Sequence, residues 1–323
     1  MLSRCKTVCL RAGGLIYLLW LTGCAATPQS DALTRHIPAA FAKPTELSRT
    51  PFFAQKAYQC GPAALATVMV AQGVDVTPDA LKDEVYLPAR KGSLQIEMVA
   101  ATRRHKLLPY ILRPQLSAVF AEINGGRPVL VLQNEGVSWY PQWHYAVIIG
   151  YNLQEEKLIL RSGTIKRYVM SMTTFERTWQ RSQSWAMVVL KPGELPVHPD
   201  EWHYLQAVVG FEQTRDWPLL DTLYQTGLHQ WSQSRDLRMG YGNVLYLQHQ
   251  RQAAAAQYQI VLQHYPDYAP AHNNLAMVLA ELGKFKRAFA HVRRAIVLGG
   301  VHSADYQATL EQIYQMQAAS KKQ

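Results

Sequence analysis

Cysteine is scarce in this chain: there are four in 323 residues, and three of them, Cys5, Cys9 and Cys24, fall at the N-terminus. No HExxH helix and no CxxC pair occurs, so the ligand spacings that would support metal catalysis are missing and no cofactor is implied. Arginine-rich clusters interleaved with stacking aromatics are absent too. The net charge of +10 therefore reads as a solvated surface rather than as a nucleic-acid footprint. Arg293-Arg294 and Lys321-Lys322 are too short to count as basic patches. The longest early apolar run, Leu15 to Leu21, falls far short of the roughly 20 residues that cross a bilayer. What is present is 48% hydrophobic and 17% charged residues, the composition of a globular chain long enough for two domains.

The N-terminus has the order of a secretory signal: Arg4, Lys6 and Arg11 without an acid, the apolar run, then Thr22-Gly23-Cys24. That ending resembles a bacterial lipobox. The resemblance implies removal of residues 1–23, lipid on the Cys24 sulfur and membrane attachment by more than one acyl chain, since one chain alone holds weakly. Ala25 in place of Asp resembles the outer-membrane sorting pattern, with the protein facing the periplasm. An ordinary signal peptide with a cysteine at its cut site is the alternative. Residues 24–51, rich in Pro, Thr, Ser and Ala without a sustained period, are expected to be a lipidated tether. Cys60 is then the only thiol left in an oxidising compartment, where an unpaired thiol calls for burial or a task.

The folded region is expected to run from 52 to 191. CGPAALATVMVAQG predicts a helix opening at Cys60, and Thr77-Pro78 and the stretch from Ser93 to His105 predict two more. Runs rich in Val, Ile and Tyr then predict strands at Arg127–Gln133, Trp143–Tyr151, Lys157–Arg161, Lys166–Ser171 and Ser184–Leu190, interrupted by a helix at Thr174–Arg181. Helices followed by an antiparallel sheet make an α+β domain. Three prolines and a glycine in LKPGELPVHPD mark a linker at 192–200. Beyond it only helical signals remain, and self-similarity at 34 residues resembles tetratricopeptide repeats. The best units are 235–268 and 269–302, with 201–234 a degenerate copy; the helical region is expected over 201–316, followed by a tail at 317–323. The Gly240-Tyr241-Gly242 pair has no preceding strand, so glycine there permits close helix packing rather than nucleotide binding.

A thiol at a helix N-terminus feels backbone N–H groups and the positive end of the dipole, which favour thiolate. The bland reading is a small buried hydrophobe. Among eleven histidines, His144 is the one that opens directly into a strand-like apolar run, WHYAVIIGY. Gln55, Cys60 in CGPAAL and His144 some eighty residues on together resemble the bacteriocin-processing, double-glycine-leader branch of papain-like cysteine peptidases over roughly 52–190. The resemblance implies Cys60 as nucleophile, His144 as general base and acid, and Gln55 as oxyanion donor. Those peptidases usually place an Asp on the next strand, where this chain has LILRSGT. Neither Arg161 nor Ser162 can be an anionic partner, although the Ser162 hydroxyl could select the tautomer; Asn152 is a more distant choice. Three functions stay open: a lipoprotein cysteine peptidase of peptide or protein substrates, its repeats binding a protein partner; a non-enzymatic docking or assembly lipoprotein; and an amidase or acyltransferase on cell-wall peptides. The repeats could also be a scaffold packed on the first domain.

Overall fold

The computed structural model describes residues 26–321 apart from Ala57 and Ser138; Cys24 and the expected signal segment lie outside the described residues. The chain enters through α1 (Pro28–Arg35) and a two-residue strand, β1 (Thr45–Glu46). Helices α2 (Cys60–Ala71), α3 (Pro78–Val85) and α4 (Gln95–Arg104) follow. Then come β2 (Leu108–Ile111), α5 (Leu116–Asn124), β3 (Val129–Asn134), β4 (Trp143–Asn152), β5 (Lys157–Ser162), β6 (Ile165–Ser171), α6 (Met172–Gln180) and β7 (Ala186–Leu190). All five expected strands are present, with ends moved by no more than two residues. β2 and α5 had no forecast. A four-residue strand carrying Pro109 is too short to show alternation, and its place at the sheet edge, paired only with β7, is where proline is tolerated.

The sheet is antiparallel in the order β2-β7-β3-β4-β5-β6, with β1 pairing β4. Both its faces are covered, which is why β4 reads as an unbroken apolar run rather than an alternating one. Tyr145, Val147 and Ile149 face a core shared with Leu65, Val68 and Met69 of α2. Ala146 and Ile148 face the opposite core, with Phe120, Phe175 and Trp179. Helix α2 is buried from Gly61 to Met69 and apolar all round, as a core helix must be. Its burial fixes where its first residue, Cys60, can stand.

The expected tether is the main correction. From Thr27 to Pro51 the chain is folded against the domain: β1 lies beside β4 through Thr45 and Glu46, and Phe41 packs edge-on to Phe120 and Tyr151. Helix α1 is docked by Glu176 of α6, a fully buried residue whose carboxylate accepts from the backbone N–H groups of Gln29 and Ser30 at 2.9 and 2.7 Å. Those are orphan donors of a helix start, where negative charge is favoured. Contacts of this kind need single residues, not an amphipathic period, so composition alone looked like a linker. Glu176→Ala is expected to cost about 3 kcal/mol, because hydrogen bonds to a charged group are being removed from a buried site. A lowered unfolding midpoint, with faster proteolysis near residue 36, is the measurement.

The C-terminal region comprises α7 (Glu201–Val209), α8 (Trp217–Gln230), α9 (Arg235–Leu247), α10 (Arg251–His264), α11 (Ala269–Glu281), α12 (Phe285–Leu298) and α13 (Ser303–Ser320). Helices α7, α9, α11 and α13 start 34 residues apart, and so do α8, α10 and α12. The tetratricopeptide pattern therefore extends through the degenerate copy. A Cβ at Gly240 would come within 2.4 Å of the Tyr224 hydroxyl, and one at Gly242 within 2.5 Å of the Tyr258 ring. Both glycines are explained by helix packing. Tyr204 and Val208 of α7 share one core with Leu108 and Tyr110 of β2, and Asp200 caps α7 while pairing with Arg113. The repeats are thus packed directly on the sheet domain.

Within the repeats His272 Nδ1 and His291 Nδ1 stand 2.9 Å apart, so one proton serves both nitrogens. Burial, with the His272 and Arg287 charges, pushes His291 down to about 4. A histidine whose folded value lies below its unfolded one stabilises the neutral form. The unfolding midpoint should accordingly hold above pH about 6.5 and fall from there toward 4. His291→Gln should flatten that fall, as calorimetry across pH would show.

Candidate active site

Three separate elements bring the expected residues to one cleft of about 1000 Å³, lined by Gln55, Cys60 and His144 among others. Cys60 is the first residue of α2, and His144 is the second residue of β4, at the end where that strand meets the helix. Gln55 lies on the extended segment leading into α2. The Tyr145 backbone ties them together: its N–H is directed at the Cys60 sulfur, its carbonyl accepts from Gln55 Nε2 at 3.2 Å, and His144 is the preceding residue. Close approach at the helix start depends on Gly61, where a Cβ would lie 2.4 Å from Ser93 Oγ.

The turn between β5 and β6 sets both the base and the oxyanion donor. His144 Nε2 is 2.8 Å from Ser162 Oγ, and the Gly163 carbonyl accepts the Gln55 backbone N–H at 3.0 Å. Ser162 is thus the side chain that holds the imidazole. Asn152 does not reach it: at the far end of β4, its side chain accepts from the Glu155 N–H. Arg161 points the other way. Its buried guanidinium donates to the carbonyls of Ser48 and Thr50, pinning the segment that leads to Gln55.

Electrostatically the pair is at rest. Burial pushes the Cys60 thiol up, more than the N–H groups of Tyr145, Gly61 and Cys60 itself pull it down. Burial pushes His144 down, against the pull of Glu135. At neutral pH both groups are therefore uncharged, which corrects the thiolate expected from the helix N-terminus: desolvation outweighs the dipole here. Glu135 was not anticipated. It is the carboxylate that favours an imidazolium at His144, and only the β3–β4 register, with Gln133 opposite His144, would have placed it nearby. The Tyr145 and Ser93 hydroxyls, both in the cleft wall, are buried without a hydrogen-bond partner among the described residues.

Ser162→Asp would put a carboxylate against Nε2. Opposite charge raises an imidazole pKa, so the rise in Cys60 alkylation that follows deprotonation of His144 should shift to higher pH. A pH–rate series with iodoacetamide on wild type and variant reads that shift directly.

A cysteine at a buried helix start, a histidine on the adjacent sheet and a glutamine donor before the cysteine define a papain-like cysteine-peptidase fold. Residues 48–187 match the model of the Peptidase_C39 like family, and helices with a 34-residue tetratricopeptide-type period follow that segment. Among solved structures, similar ones include a C39-like peptidase from Bacillus anthracis (16% identity, 46% of this chain and 98% of that one, TM-score 0.39). The peptidase domain of Streptococcus ComA, a bifunctional ABC transporter, aligns at 20% identity over 44% of this chain and 99% of its own, TM-score 0.37. Pseudomonas aeruginosa PilF aligns at 20% identity over 37% of this chain and 60% of its own, TM-score 0.30. No curated protein matches the chain.

Proposed function

We propose that this protein is an envelope lipoprotein cysteine peptidase that hydrolyses peptide bonds through Cys60 and His144. The observation that carries the reading is the convergence of Gln55, Cys60 and His144 in one cleft, with the imidazole held by Ser162. If Nε2–H donates to Ser162, the Nδ1 lone pair is left for the thiol proton. As sulfur bonds to the substrate carbonyl carbon, that proton passes to His144. The carbonyl oxygen becomes an oxyanion, stabilised by Gln55 Nε2–H and the Cys60 N–H at the helix start. On collapse the C–N bond breaks and His144 returns the proton to the departing amine. Water then hydrolyses the thioester with His144 again as base.

Incubation with a peptidyl p-nitrophenyl ester should leave an acyl group on Cys60, seen by intact mass, and none in Cys60→Ala. A folded wild type that never acquires the adduct would sink the reading. A second reading, a docking lipoprotein on a peptidase fold, draws support from the hydroxyl where a carboxylate would stabilise imidazolium. The same ester experiment separates the two.

The cellular setting belongs to the proposal: lipid on Cys24 would hold the domain at the outer membrane, facing the periplasm, while the repeats take up a protein partner or present a substrate. Mass spectrometry of the mature N-terminus should show a lipid-modified Cys24. An unmodified start at Ala25 would contradict the anchor.

A further inference from the structure

Four cations, Lys56, Arg90, Lys91 and Arg181, line the cleft around Cys60, and among the described residues no Asp or Glu does. Two of them already have partners. Lys56 pairs with Asp79 at 3.0 Å, and Arg181 donates to the Gly136 carbonyl at 2.6 Å. Arg90 and Lys91 have no carboxylate within ion-pair distance among the described residues; Glu135, whose charge acts on His144 and Cys60, is not part of the lining. Both sit on the loop between α3 and α4, which is pinned by a bridge from Leu87 to Gly92. Lys91 adopts φ of 47°, a backbone region that favours glycine, yet carries a long side chain there. Its ammonium lies 5.7 Å from the centre of the Tyr58 ring, so loop and helix entry meet over the cleft. The exposed Tyr140 and Trp143 complete the rim.

Unneutralised positive charge at the wall of a concave site concentrates anions and repels cations. The nucleophile at its floor asks for a carbonyl carbon, which excludes simple anion storage as the purpose. Resting on the reading of this cleft as a peptidase site, we propose that it selects acidic peptides, with Asp or Glu side chains flanking the bond presented to Cys60 and held by Arg90 and Lys91. A volume of about 1000 Å³ is enough for several residues of such a segment.

The test uses full-length Cys60→Ala and three fluorescein-labelled decapeptides of one length: one rich in Asp and Glu, one with each acid replaced by glutamine, one with each replaced by lysine. Fluorescence anisotropy at low salt should show the acidic probe binding at least tenfold tighter than the glutamine probe and the lysine probe weakest. Arg90→Glu with Lys91→Glu should remove that preference, circular dichroism confirming the fold. Equal binding of the acidic and glutamine probes, or acidic binding unchanged in the double variant, overturns the proposal. The two readings fail separately. Charge-selective binding without cleavage by wild type leaves the proposal standing and removes the peptidase reading; cleavage of all three peptides at equal rates does the reverse.

Discussion

His144→Ala is expected to lower kcat/KM on a fluorogenic peptide by about a thousandfold at pH 7, within the range of about 10²–10⁴ that a positioned acid–base group contributes. The loss should be felt in full because Cys60 begins as a thiol: burial holds it above its ordinary value, so no stored thiolate is available to react without the base. The sign with pH follows. As pH rises toward the thiol pKa, hydroxide takes over the removal of the proton, and the gap between variant and wild type should narrow. His144 is only partly buried at a strand end, so the unfolding midpoint should move little. A large drop in midpoint alongside the rate loss would point to a structural role instead.

Gln55→Ala should cost about 100-fold or more in kcat with KM nearly unchanged, because the oxyanion that Gln55 serves exists only beyond the ground state. The same side chain donates to the Tyr145 carbonyl at 3.2 Å, a neutral hydrogen bond whose loss costs about 1 kcal/mol of stability. Rate and stability effects thus differ enough in size to be told apart. Gln55→Glu keeps the shape but replaces the donor with an acceptor carrying charge, and should be no better than alanine. Retained kcat in either variant would show that the oxyanion is held elsewhere, with the Tyr145 and Ser93 hydroxyls the groups to examine next.

Periodic features of the fold could be read from the chain. The apolar runs at 129–134 and 143–152 are strands because both faces of the sheet are covered, and the 34-residue period recurs in helix starts from Glu201 to Ser303. Cys60 and His144 could be picked out because each sits at the mouth of a recognisable element, and Gln55 through the family resemblance that the three residues carry together. What resisted reading was aperiodic or long-range. The strap from Thr27 to Pro51 is held by contacts such as a buried carboxylate, a short strand, a phenylalanine and the Arg161 guanidinium, none of which leaves a pattern in composition. Glu135 acquires its influence on His144 from a hairpin register. The charge state of Cys60 was misjudged because a helix N-terminus is visible in sequence while the depth of burial beside it is not; in this site burial is the larger effect. Likewise the cations of the cleft come from three distant stretches, 56, 90–91 and 181, too far apart in the chain to look like a patch.

The central claim is that His144 takes the Cys60 proton. Iodoacetamide alkylation of Cys60, followed by mass across pH, tests it most directly. Two rises are predicted for wild type: one through the lowered His144 pKa, below 6.5, where the neutral imidazole becomes able to accept the proton, and one through the raised thiol pKa, above 9.0, where free thiolate forms. The first rise should vanish in His144→Ala while the second remains. A single rise at the thiol pKa, identical in wild type and His144→Ala, would contradict the account.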